Sequence, residues 1–306
     1  MLAVFLKTVP FFLIIAIGYG SARARMFTAE GIAYITKFVF YFALSAMLFR
    51  FAAELSFSEI WNTNVFLAYL SASAALYVLV TAVALLRGTG FAEAAVEAQC
   101  GVIGNTGFLG LPMLVILIGE QAAGPIILML AIDLIVFGSL IVVIILLARG
   151  TGERGVLPTV GLGLVQNPMV MSMSAGLLWS ASSLPLPEVA AEFLLLLGAA
   201  ATPCALFAIG ASLAGRSAER LSVALWLSVA KLFLHPLAVG IAALFYFDVP
   251  GSVAGIMVAT SAMPVAGNIF IIAQTYGVAP ARASSAILVS TVIAVGSLAY
   301  VISLVT

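Results

Sequence analysis

The chain predicts an all-α integral membrane protein of ten transmembrane helices, built as two five-helix repeats of opposite orientation. Three observations predict it. Of 306 residues, 64% are hydrophobic and only 8% charged, where a soluble domain carries roughly 25% charged residues, so the solvent for most of the chain is lipid. Ten apolar segments of about 20 residues, the length that crosses a bilayer at 1.5 Å per residue, fall at 2-22, 29-50, 61-87, 93-118, 122-148, 158-180, 189-214, 220-247, 252-276 and 281-305. These divide five and five around residues 149–155. An odd number of spans in each half, 1-150 and 156-306, turns the second half upside down against the first.

The first segment reads as a retained span rather than a secretory signal, because Arg23 and Arg25 follow the apolar run instead of preceding it. Positive charge then sets orientation, since Lys and Arg favour cytoplasmic loops. Arg23, Arg25, Arg87, Arg149, Arg154, Arg216, Arg220 and Arg282 fall in the odd-numbered loops, and only Lys7 and Arg50 oppose them. Both termini are therefore expected outside. The connections are short, which leaves no room for an appended soluble domain. Formal net charge is zero with no basic cluster, so no nucleic-acid partner is expected. Cys100 and Cys204 lie inside apolar segments and read as small buried thiols. The absence of a P-loop argues against transport driven by the chain's own nucleotide hydrolysis.

The repeat leaves traces in the residues. LKTVPFF (6-12) aligns with LVQNPMV (164-170), and at the same offset SAMLF (45-49) falls on PCALF (203-207). In inverted-repeat carriers, substrate and ion sites lie near the membrane midplane, where an interrupted helix from each half meets its counterpart. Two such interruptions are legible: GNTGFLGLP (104-112) in the fourth segment and SAMPVAGNIF (261-270) in the ninth. Gly and Pro break a helix, and unwound backbone survives at membrane depth only against protein or a watered cavity. The candidate substrate-binding residues are accordingly Asn105, Thr106, Gly107 and Pro112 in the first interruption and Pro264, Gly267 and Asn268 in the second. The competing reading of Gly101, Gly104, Gly107 and Gly110 is a close-packing face between helices.

Ionisable side chains deep in a span are costly and are functional candidates. Lys37, Asp133, Lys231 and His235 qualify. Asp133 and Lys231 each lie about 15 Å from the end of their segments, so they share a depth and are expected either to pair or to exchange a proton. Lys37 is assigned to structure or anion attraction. His235, beside Pro236, is expected to be a hydrogen-bonded packing residue. A Ser212–His235 protease pair is disfavoured because the two depths disagree.

Beyond these residue-level readings, KFVFYFALSAMLF (37-49), NTGFLGLPML (105-114), FAIGASL (207-213), KLFLHPL (231-237) and MPVAGNIFIIAQTYG (263-277) together resemble the auxin efflux carrier family, which includes plant PIN proteins and bacterial malonate or malate carriers. The resemblance covers nearly the whole chain. It implies that spans four and nine are broken and cross, that spans 1, 2, 6 and 7 form a scaffold, and that spans 3 to 5 and 8 to 10 form a transport domain moving against it. It also implies a homodimer through the scaffold. Two departures stand out: Ser45 occupies a position where the family often has a kinking proline, and the long cytoplasmic loop of many plant members is missing. The expected function is secondary transport of a small organic anion, a carboxylate such as a dicarboxylate or auxin-like acid, with no cofactor and with coupling to H+ or Na+ left open. The alternatives are a sodium- or proton-coupled carrier like the bile-acid symporters, a cation/proton antiporter, or a passive channel.

Overall fold

Thirteen helices and one short turn of helix, Phe57–Ile60, make up the regular structure of the computed structural model, which describes residues 2–55, 57–149, 155–182, 184–215 and 221–305. Numbered in chain order they are α1 (Leu2–Arg23), α2 (Ala29–Glu54), α3 (Thr63–Leu86), α4 (Phe91–Val102), α5 (Thr106–Ile118), α6 (Glu120–Arg149), α7 (Val156–Val165), α8 (Pro168–Ala181), α9 (Glu188–Leu213), α10 (Leu221–Tyr246), α11 (Gly251–Ser261), α12 (Asn268–Thr275) and α13 (Pro280–Val305). No strand occurs among the described residues. Among the described residues six helices, α2, α3, α6, α9, α10 and α13, are long and apolar enough to cross a membrane. Arg154, Arg216 and Arg220, and the side chain of Lys7, which the charge asymmetry uses, lie outside the described residues.

Local chemistry explains the helix ends. Thr28 accepts the Gly31 N–H at 3.1 Å and opens α2, and Asn62 accepts the Val65 N–H at 3.1 Å and opens α3, the usual service of an N-cap side chain. The segment 158–180, expected as one span, is two helices. Pro168 has no N–H to continue α7, and Asn167 instead accepts the Met169 N–H at 3.0 Å and starts α8. Pro10, its counterpart in the repeat, sits inside an unbroken α1.

Three of the long helices and the start of α5 contain a turn wound one residue wide. The turns cover Val39–Ala43 in α2, Thr106–Gly110 in α5, Ile132–Phe137 in α6, and Ala230–Leu234 and Ala242–Tyr246 in α10. Such π-type turns recur at functional sites. Here three of them carry Thr106, Asp133 and Lys231. The turn in α2 lies just before Ser45, whose hydroxyl donates to the Phe40 carbonyl at 3.0 Å, so the helix is perturbed there without a proline. Glycine sets the closest contacts: α1 lies along the second half of α9, where Gly18 faces the Phe207 carbonyl and Gly210 faces the Ile15 carbonyl. A side chain at either position has no room, as in close-packed membrane helices.

Candidate functional site

The backbone leaves the helix twice at membrane depth, and the two departures find each other. Helix α4 stops at Val102, α5 begins at Thr106, α11 stops at Ser261 and α12 begins at Asn268. Across the gap the Asn105 N–H donates to the Pro264 carbonyl at 2.8 Å, and the Ala266 N–H donates to the Ile103 carbonyl at 3.1 Å. Gly104 and Val265 thus form a single antiparallel bridge. Ser290 of α13 adds a third tie, its Oγ accepting the Val265 N–H at 3.1 Å. These bonds satisfy backbone groups that hydrocarbon would leave unpaired at a cost of several kcal/mol each.

The tie brings four helix ends together. The C-terminal ends of α4 and α11 carry partial negative charge and the N-terminal ends of α5 and α12 partial positive charge. Neither Asn105 nor Gly267, the residues preceding α5 and α12, makes a side-chain cap; the Ile269 and Phe270 N–H groups of α12 go to the Ala266 and Gly267 carbonyls, and no side chain takes up the remaining first-turn N–H groups, which suit an anion. Of the predicted residues, Asn105, Thr106, Gly107, Pro112 and Pro264 are buried, while Gly267 and Asn268 are partly buried. The Asn268 side-chain oxygen is buried with no hydrogen-bond partner, which marks an amide able to turn toward a ligand.

Each glycine of the first interruption faces something different. A methyl built on Gly101 would come within 2.9 Å of Val80 on α3, and one on Gly107 within 2.7 Å of Met169 on α8. On Gly104 it would lie 3.1 Å from Nζ of Lys231, and on Gly110 it would lie 3.3 Å from Met263. The packing reading suits Gly101; Gly104 instead lets a lysine ammonium touch the tie.

That lysine belongs to a buried cluster. Lys231 Nζ donates to the Ser261 carbonyl, the last of α11, and stands 3.1 Å from Nδ1 of His235 one turn along α10. Nε2 of His235 lies 2.9 Å from the Ser73 hydroxyl on α3. Tyr69, one turn before Ser73, donates to Oδ1 of Asp133 at 2.7 Å, while Oδ2 of Asp133 is buried without a partner. Asp133 and Lys231 thus share a neighbourhood, as their depths predict, yet they form no direct ion pair. His235 engages both ring nitrogens, one with Lys231 and the other with Ser73 rather than Ser212; Ser212 donates to its own helix at Ile209. Lys37 departs from expectation: it is exposed on the outer face of α2, its ammonium 5.7 Å from the Tyr34 ring, so it joins neither the tie nor the cluster.

Three residues escaped the sequence reading. Tyr69 and Ser73 carry no charge and stand in a uniformly apolar helix, which gives no signal. Glu97 does carry one. It is fully buried near the start of α4, held by Arg87 and, at 2.7 Å, by Arg282, which also holds Glu93 at 2.8 Å. Glu97 escaped the depth test that found Asp133, because it stands only four residues, about 6 Å, inside the segment 93-118. Beside Pro112, a cavity of about 500 Å3 opens between α1, α2, α5 and α9, its walls apolar except for Arg50 and Thr202.

Interrupted helices tied at their breaks within a bundle of membrane-length helices, with buried charge against the tie, define a membrane transport protein. The chain belongs to the family described as membrane transport protein, that of the auxin efflux carriers, which it matches over residues 3–157 and 152–302. It is also 29% identical over 296 residues to a protein of Rhizobium meliloti (strain 1021) named "Putative malonate transporter", the match covering 94% of this chain and 91% of that protein. It is a transporter and not an enzyme.

Proposed function

We propose that the protein is a secondary transporter of a small organic anion, with malonate and related dicarboxylates as the first substrates to test, and that the anion binds at the tied breaks. The observation that carries this reading is the tie itself: two helix N-termini without side-chain caps, beside buried Asn105 and Thr106 and the unsatisfied Asn268 amide. Helix ends and hydrogen bonds recognise the carboxylate, and the Lys231 ammonium behind Gly104 supplies the nearest positive charge. The relative's name supports malonate as a probe.

On this reading the thirteen helices group into ten spans, α4 with α5, α7 with α8, and α11 with α12 each making one, in two inverted repeats. The close packing of α1 on α9 and of α2 on α8 supports a scaffold of spans 1, 2, 6 and 7. Spans 3 to 5 and 8 to 10 then form the transport domain, moving elevator-fashion so that the tie faces each side in turn. The cavity beside Pro112 is the route on one side, with Arg50 at its wall. A homodimer through the scaffold, both termini outside and a bacterial inner membrane complete the proposal, with a proton as the coupling ion.

Purified protein in proteoliposomes, offered dicarboxylates, monocarboxylates and indole acids under imposed proton or sodium gradients, tests it. Uptake of malonate that counterflow stimulates and that Asn105→Ala and Thr106→Val each reduce by about tenfold or more, the loss of one good hydrogen bond to a charged group, is the expected result. Failure of every anion together with robust movement of a cation would overturn it. Accumulation that follows sodium rather than protons would move the protein to the sodium-coupled class.

A further inference from the structure

We propose that Lys231 and Asp133 are the two ends of an internal proton wire running through His235, Ser73 and Tyr69, which lets both charges be extinguished together without either residue leaving the bundle. Its use in coupling rests on the carrier reading above; its existence does not.

Donor and acceptor chemistry fixes its direction. An ammonium only donates, so Lys231, 3.1 Å from Nδ1 of His235, makes that nitrogen an acceptor. The proton of the neutral ring then sits on Nε2 and is donated to Ser73, 2.9 Å away. Ser73 and Tyr69 stand one helical turn apart on the same face of α3, and the wire passes the Ser73 hydroxyl proton to the Tyr69 oxygen across that turn. Tyr69 donates to Oδ1 of Asp133 at 2.7 Å. The Lys231–His235, His235–Ser73 and Tyr69–Asp133 contacts all point their protons from the lysine toward the aspartate.

A single concerted shift therefore suffices. The Lys231 N–H bond breaks as Nδ1–H forms, and Nε2–H breaks as a Ser73 O–H forms. The former Ser73 proton passes to Tyr69, and the former Tyr69 proton forms the O–H of Asp133. The ammonium becomes an amine, the carboxylate becomes an acid, the imidazole changes tautomer, and no outside reactant is consumed. The charged arrangement holds opposite charges apart in a dry interior, where separated charges are costly. All five side chains are at most 2% exposed, so the wire is sealed from solvent except where Lys231 meets the tie at Gly104. An anion at the tie would hold the proton on Lys231; its departure would release the proton toward Asp133.

The surroundings offer few competitors. On α3 the next titratable group is Tyr77, and on α4 they are Cys100 and the arginine-bound Glu93 and Glu97. Helices α5 and α11 carry none, and α13 carries Arg282 in its first turn and Tyr300 near its end.

The wire is tested without substrate by rapid-mixing infrared spectroscopy after a pH jump, with the Asp133 carboxyl band assigned by its loss in Asp133→Asn. Tyr69→Phe and Ser73→Ala should each slow the response of that band at least about a hundredfold, the lower end for a positioned proton-transfer group. Tyr77→Phe, a neighbouring phenol outside the wire, should leave the rate unchanged. Wild-type rates in both Tyr69→Phe and Ser73→Ala, or an Asp133 band that never responds to pH in the parent protein, would overturn the proposal. If the band responds as expected but the parent protein moves no organic anion, the wire stands and the carrier reading falls. If malonate uptake follows a proton gradient equally well in Tyr69→Phe, the carrier stands and the wire has no part in coupling.

Discussion

The molecule buries charge in two places and handles it in opposite ways. At the start of α4, Glu97 is gripped directly by Arg87 and Arg282, and Arg282 also reaches Glu93. Deeper in the bundle, Lys231 and Asp133 do not touch; three polar side chains stand between them, and one carboxylate oxygen has no partner at all. The first arrangement ties together α3, α4 and α13 at their ends, near the place where a loop meets water. The second lies against the tied breaks. Direct pairing stabilises both charged forms and resists change, whereas opposite charges held apart through groups that both give and take protons can change state. A buried charge is therefore not by itself a sign of function; how completely it is satisfied is the better guide.

The largest expected effect follows from that difference. Glu97→Gln removes the anion between two arginines and should cost about 3 kcal/mol, as when one member of a buried pair is lost. Thermal unfolding in detergent reads it. Asp133→Asn keeps an oxygen for Tyr69 and should cost less than about 1 kcal/mol, yet it should flatten the pH dependence of transport, which Glu97→Gln leaves in place in the protein that remains folded. If the two variants exchange these phenotypes, the distinction between clasp and switch is wrong.

Next in size is Gly104→Ala. The added methyl would lie 3.0 Å from Cε of Lys231 and 3.3 Å from Cβ of Met263, so the lysine must move off the tie or the tie must open. We expect a loss of about 1–3 kcal/mol, the usual cost of overpacking, together with weakened malonate uptake. Unchanged stability and transport would mean that the ammonium does not press on the crossing.

How much of this was legible beforehand depends on the kind of signal. Both interruptions could be read from GNTGFLGLP and SAMPVAGNIF because Gly and Pro mark them by chemistry. That the breaks bond to each other could not, since backbone pairing between residues as far apart in the chain as Asn105 and Pro264 leaves no trace in side-chain types. Depth alone brought Asp133 and Lys231 together, but Tyr69 and Ser73 were silent, being ordinary residues in an apolar helix. Lys37 misled because sequence position gives depth without azimuth: it lies within α2, on the face turned away from the bundle. The break at Asn167 was visible in hindsight as a capping residue followed by proline, hidden by the steady hydropathy of the segment around it.

Gly267→Ala gives the smallest expected effect on stability and separates the two halves of the tie most finely. Unlike Gly104, Gly267 has nothing within 4 Å of an added methyl, and its φ of −66° suits alanine. Stability should therefore stay within about 0.5 kcal/mol of the parent, as for a change that meets no neighbour. The open space beside it adjoins the N-terminus of α12 and the unsatisfied Asn268 amide. If that space is where the anion sits, the methyl should raise the KM for malonate and leave kcat nearly unchanged, because it takes room from bound substrate without touching Lys231 or the wire. An unchanged KM would shift the substrate toward the Asn105–Thr106 side of the tie, and a fall in kcat alone would mean that Gly267 serves the movement of α12 rather than the binding of the anion.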